Sequence, residues 1–229
     1  MTSVDGTVRF FTQVNALLHP GMTVLDFGAG RGWWLEDDVC SYRQRLMNLK
    51  GKVARVIACD IDPAVLNNGS ADEAFVIERG GKVPVADQSV DLILSDNTFE
   101  HVQDPAAMAA EFKRLLKPGG WICARTPNKY AYTSLPTMAV PNRLHALLLK
   151  RAQPDRKAED VFPTAFKLNT LRDVARHFPP AQFDNYSYRA LPEPGYHFNK
   201  KPLLAALLLM NKVLPHVLTA PLYVFLRRR

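Results

Sequence analysis

Cysteine is scarce in this chain. Cys40, Cys59 and Cys123 are its only three in 229 residues, too few and too scattered for a disulfide framework or a zinc site. Cys59 and Cys123 sit inside apolar runs, where they read as small core residues. The N-terminus lacks the apolar stretch and small-residue cleavage site of a signal peptide, which points to a reducing, cytoplasmic setting. There is no zinc finger, no helix-turn-helix signature and no basic stripe interleaved with aromatics. The net charge of +7 is therefore not read as a nucleic-acid footprint, and no metal site is expected. What remains is a chain of one domain's length with 47% apolar residues, enough for a sizeable core and a small appendage.

What the chain does have is concentrated near its N-terminus. Val24 to Gly32 (VLDFGAGRG) reads as a short buried strand, a glycine turn and the start of a helix. Gly28, Gly30 and Gly32, at alternate positions, leave the backbone without Cβ atoms where a ligand can press against it. Asp60 ends the next apolar run, where a carboxylate can accept hydrogen bonds from both hydroxyls of a ribose. Together these predict a cofactor that carries a nucleoside. A dinucleotide fold would place its acidic residue about 20 positions after a G-x-G-x-x-G turn. Here Trp33 fills the position of the third glycine and Asp60 lies well beyond that distance, which argues against a nicotinamide-dependent oxidoreductase.

Further landmarks follow in order. Val83 to Asp96 is a loop feeding an apolar strand, then come Glu100-His101-Val102, a helix, and Leu116-Lys117-Pro118-Gly119-Gly120-Trp121. With these the chain resembles the class I S-adenosylmethionine-dependent methyltransferases over roughly residues 22–128, and in particular the branch with an "EHV" after the fourth strand and an "LKPGG" turn before the fifth. The resemblance implies S-adenosyl-L-methionine as cofactor. It implies that Asp26, under the turn, orients the turn amides or receives the methionine ammonium. Asp60 would take the ribose, Ile61 would lie against the adenine, and Ser95 and Asp96 would face the methyl end. His101 is the candidate general base, imidazole being well suited to move a proton near neutral pH. Many relatives carry an acidic residue shortly before the proline of the loop that precedes strand four. Here that stretch is Glu78 to Pro84, with Glu78 displaced from the expected place.

Hydrophobic periodicity supplies the frame. A helix is expected over 4–18, strands over 23–27, 53–59, 74–77, 90–94 and 121–125, a crossover helix within 35–49, and helices over 105–116 and 170–178. Asp62-Pro63 should cap a short helix, and 182–189 should form a late antiparallel strand, with no convincing seventh. Strands alternating with helices imply a Rossmann-like α/β fold, a doubly wound and mostly parallel sheet flanked by helices. Gly28–Gly32, Asp60, 95–97 and 126–128 are then all strand ends, where such a fold places its ligand crevice. Residues 127–169 lose periodicity at repeated prolines and read as an insertion that caps the substrate.

The organisation expected is a catalytic domain over 1–200 and an apolar, basic helical extension over 201–229. Residues 203–226 are strongly apolar but interrupted by Asn211, Lys212, Pro215, His216 and Pro221, which favours surface helices over a span and allows peripheral membrane contact through 203–229. The Asp/Asn-Pro-Pro-aromatic motif of base and amide methyltransferases is absent, Ser95-Asp96-Asn97-Thr98 standing in its place. A hydroxyl on a small molecule, lipid or lipid-linked saccharide therefore fits best as acceptor. A non-catalytic S-adenosylmethionine-binding module is the alternative, and the altered loop at Glu78–Lys82 is the hint for it.

Overall fold

The computed structural model describes residues 5–132, 134, 163–191 and 201–229. Most of the expected capping insertion, including His145 and Phe162, thus lies outside the described residues. Helix α1 (Gly6–Leu17) starts at Asp5, whose carboxylate accepts from the Val8 amide at 2.9 Å. It is followed by β1 (Thr23–Phe27), α2 (Trp34–Asp37), α3 (Ser41–Met47), β2 (Arg55–Asp60) and β3 (Glu73–Val76). Then come β4 (Val90–Asp96), α4 (Pro105–Leu115), β5 (Leu116–Thr126), α5 (Leu171–His177), β6 (Phe183–Asn185) and β7 (Tyr188–Arg189). The chain closes with α6 (Lys201–Val213), α7 (His216–Thr219) and β8 (Leu222–Arg228).

The described strands form one sheet in the order β3-β2-β1-β4-β5-β8-β6, with β7 also paired to β8. Strands β1 to β5 run parallel, and β6, β7 and β5 all pair antiparallel with β8. Side chains alternate between two cores, as the pleat requires. Leu25, Ile57 and Ile93 face one core, under Phe112 of α4. Val24, Val56 and Leu92 face the other, under Phe10 of α1 and Met47 of α3. The strand order reverses between β1 and β4, so the ends of β1, β2 and β4 open a crevice at the topological switch point.

Three expectations are corrected here. The single crossover helix within 35–49 is two short ones, because Asp38 turns the chain: its carboxylate accepts from the Cys40 amide and from the Arg43 guanidinium. The fifth strand begins at Leu116 rather than Trp121. Val90 pairs with Leu116 and Leu92 with Trp121, so Lys117–Gly120 bulges within the strand instead of preceding it. The helical extension over 201–229 ends at Thr219, and Leu222–Arg228 is the missing seventh strand. Leu222 to Leu226 are buried between β5 and β6, with Phe10 at 5.4 Å from the Tyr223 ring and 5.8 Å from Phe225. That segment is core, so the exposed part of the apolar C-terminal region is confined to α6 and α7.

Candidate functional site

The glycine turn hangs on the end of β2. The amides of Gly28 and Ala29 donate to the Cys59 carbonyl at 2.8 and 3.2 Å, and the Gly30 amide donates to Asp60 Oδ2 at 2.8 Å. The other Asp60 oxygen accepts from the Asp62 amide at 3.0 Å, which fixes the carboxylate at the mouth of the crevice. All three glycines have positive φ, between 51° and 77°. Their neighbours differ. A Cβ on Gly28 would lie 2.8 Å from Thr98 Cβ and closer still to its hydroxyl, and one on Gly32 would lie 2.6 Å from Asn68 Oδ1. Only a Cβ on Gly30 would meet nothing within 4 Å. Two glycines are thus bare because the protein itself presses on them, and Gly30 alone faces open space.

Asp26 is the penultimate residue of β1, beside this turn. Burial pushes its carboxyl up to about 7, and the carboxylates of Asp96 and Asp60 push the same way. A site that holds three acidic groups together in partly desolvated surroundings favours a ligand that brings positive charge. Ile61 is partly exposed beside Asp60. Asp62 caps the following turn through the Ala64 amide, as expected.

At the end of β4 the two expected residues are engaged with protein. Ser95 is fully buried and its hydroxyl donates to the Phe27 carbonyl at 3.0 Å, joining β4 to β1. Asp96 is held by both sides of the Arg125 guanidinium, each at 2.7 Å. Arg125 also donates to Thr7 Oγ1 at 2.9 Å and lies 5.6 Å over the Phe10 ring, which ties α1 to the crevice. Arg125 lines a cavity of about 230 Å³ with Thr7, Trp33, Val39, Arg43 and Met47, on the α1 side of the sheet. Neither Gly30 nor Asp60 lines it; Trp33, next to Gly32, and Arg125, paired with Asp96, connect it to the crevice.

His101 closes the short turn after β4. Its Nδ1 lies 3.0 Å from the Pro163 carbonyl oxygen. A carbonyl only accepts, so this nitrogen carries a proton and donates it. Nε2 is 4.0 Å from a carboxylate oxygen of Glu100. Glu100 is buried and accepts from Thr126 Oγ1 at 2.8 Å, and burial raises its carboxyl above the ordinary range while neighbouring His101 opposes the rise. Thr126 in turn accepts from Asn169 Nδ2 at 2.7 Å. This polar knot joins the ends of β4 and β5 to the 163–170 segment.

Sequence reasoning gave no site role to Asn68, Thr98, Arg125 and Asn169, and counted Thr126 only as a strand end. Asn68 meets Gly32, Thr98 meets Gly28, Arg125 meets Asp96 and Asn169 meets Thr126 across long stretches of chain, where no local pattern reaches. Glu100 stood in the quoted "EHV" without a role of its own. Among the described residues no cluster of three His, Cys, Asp or Glu is placed to hold a metal ion.

Comparison with known proteins supplies the class. Residues 25–124 match the family described as "Methyltransferase domain". Over this part the chain is similar to a probable S-adenosylmethionine-dependent methyltransferase of Mycolicibacterium smegmatis, 32% identical over 117 residues, covering 49% of this chain and 41% of that protein. An uncharacterized methyltransferase of Mycobacterium sp. (strain JLS) is 36% identical over 103 residues, covering 44% of this chain and 36% of that protein. A malonyl-[acyl-carrier protein] O-methyltransferase of Hahella chejuensis is 31% identical over 108 residues, covering 45% and 36%. The chain thus spans well under half of the length of these relatives. The fold as a whole resembles geranyl diphosphate C-methyltransferase from Streptomyces coelicolor, solved with Mg2+, geranyl diphosphate and S-adenosyl-L-homocysteine. That likeness has a TM-score of 0.57 at 14% identity and covers 97% of this chain and 77% of that one.

Proposed function

We propose that the whole chain is an S-adenosylmethionine-dependent methyltransferase that places a methyl group on a hydroxyl oxygen of a small molecule, lipid or lipid-linked saccharide. The observation that carries this reading is the meeting of Gly30, Asp26 and Asp60 at one crevice inside a methyltransferase domain. These residues suit the cofactor. Open space at Gly30 admits its chain, Asp60 offers carboxylate oxygens to a ribose, and the raised Asp26 carboxyl favours a neighbouring cation. When bound, the cofactor supplies a methyl group already activated by its sulfonium.

The chain's own work is then to align and to take a proton. Holding acceptor and methyl in line is proximity catalysis and needs no nucleophilic side chain. His101 Nε2 accepts the proton of the acceptor hydroxyl, its tautomer set by the Pro163 carbonyl, while Glu100 stabilises the imidazolium that forms. The reading of an oxygen acceptor is supported by this basic nitrogen and by the name of the Hahella relative.

Calorimetric titration with S-adenosylhomocysteine, beside NAD as control, tests the class. Wild type should bind the first in the micromolar range and ignore the second, and Asp60→Ala should weaken binding at least tenfold. Tight binding of NAD instead would replace this reading with the oxidoreductase one. For the base, His101→Ala should lower turnover by about 10²–10⁴-fold with cofactor affinity unchanged. An unaltered turnover number would remove His101 from the mechanism.

A further inference from the structure

Helix α6 is anomalous for a surface helix. It has thirteen residues, most of them apolar, and none is buried. Leu204, Leu207, Met210 and Asn211, on one side, are half-buried. The opposite side should be polar in an ordinary globular protein. Here it carries Leu209 and Val213, 62% and 74% exposed, on a helix whose Lys201 and Lys212 are exposed as well. Exposed apolar side chains grouped in this way mark a contact surface.

Topology fixes where that surface lies. β8 runs antiparallel to β5 and begins opposite Thr126, at the crevice end of the sheet. The preceding α7 is tied to the same end, since Asn128 Nδ2 donates to the Val217 carbonyl and the Tyr132 backbone amide to the Leu218 carbonyl, both at 2.8 Å. Helix α6 ends two residues before α7, so its C-terminal end stands near the rim of the crevice. Exposed Tyr130 stands between those two donors in the chain, on the same rim. Arg227, Arg228 and Arg229 lie at the opposite end of the sheet, bonded to Gly119, Leu116 and Asp184, and take no part.

We infer that α6 is a docking element for an anionic lipid surface and brings the crevice mouth to the bilayer. Residues 194–229 contain no acidic side chain, so nothing on this segment repels phosphate headgroups. Lysines flanking leucines can lay their stems along the apolar face and hold their ammonium groups at headgroup level. A second copy of the chain fits less well, because a two-fold contact would set Lys201 and Lys212 near their own images. The helix does not span. No described helix is long and apolar enough to cross a membrane, and thirteen residues reach only about 20 Å against roughly 30 Å of hydrocarbon. That the acceptor is itself drawn from this bilayer rests on the methyl-transfer reading; the docking does not.

Sedimentation of the full chain with phosphatidylcholine vesicles, with and without phosphatidylglycerol, tests the docking. Binding should require the anionic lipid, fall with added salt, and fall about tenfold in Leu209→Glu/Val213→Glu. Lys201→Glu/Lys212→Glu should lose a similar amount through charge alone. Both variants should keep the S-adenosylhomocysteine affinity of wild type, which shows that they fold and separates a failure of docking from a failure of the cofactor reading. Absence of binding to anionic vesicles by folded wild type would overturn the inference. So would undiminished binding in both variants, or light scattering that shows a wild-type dimer and a monomeric Leu209→Glu/Val213→Glu.

Discussion

Burial, with the carboxylates of Asp96 and Asp60 nearby, raises the proton affinity of Asp26 near the end of β1. Its folded value of about 7 lies above the ordinary 3.8, so between these two values the folded chain holds a proton that the unfolded chain has released. Stability from this group therefore falls as pH rises through that window. Asp26→Asn should unfold at a higher temperature than wild type at pH 8 and at nearly the same temperature at pH 4, as thermal melts would show. The glycines give a sharper contrast. Gly32→Ala places a Cβ against Asn68 and should cost about 1–3 kcal/mol of stability in urea unfolding. Gly30→Ala meets no neighbour, so it should cost only about 1–2 kcal/mol for its backbone conformation while S-adenosylhomocysteine binding falls more than tenfold. At this scale the sequence made Gly28, Gly30, Gly32 and Asp60 visible, because a strand-turn pattern is local. It could not show that Thr98, 70 positions on, presses on Gly28, or that Ser95 and Asp96 are occupied by Phe27 and Arg125.

Elements were legible where periodicity is unmixed. Strands β1, β2 and β4 are continuous apolar runs between polar turns, and α4 carries Met108, Phe112 and Leu115 at helical spacing behind an Asp104 cap, so their type was evident. The C-terminal region was not. Leu222–Leu226 is apolar on both faces because β8 is covered from both sides, and it follows a helical apolar run with little punctuation. Short runs of this kind carry no period to separate strand from helix. The break between α2 and α3 was hidden for another reason, since it depends on Asp38 meeting Arg43 and Asp5 meeting the same guanidinium from α1. The place of β8 in the sheet has an energetic signature. Leu226→Ala, in a fully buried position, should lower stability by about 2–5 kcal/mol in urea unfolding, like a central-strand substitution and unlike one in a dangling tail.

Across the molecule, architecture and cofactor class followed from four motifs in order, while the acceptor did not, since the residues that would choose it belong to no recognisable pattern. The antiparallel arrival of β8 has a consequence for how such a chain is made. Trp121 to Thr126 find their partners in Leu222 to Arg227, about a hundred positions later. At ribosomal speeds of roughly 5–20 residues per second, the outer edge of β5 is synthesised several seconds before the strand that covers it. During that interval the nascent sheet presents an unpaired, apolar strand edge, the feature most prone to pairing with a neighbouring chain. Expression of this protein should accordingly be limited by the wait for β8, with yield rising when a chaperone covers that edge and falling when translation is slowed.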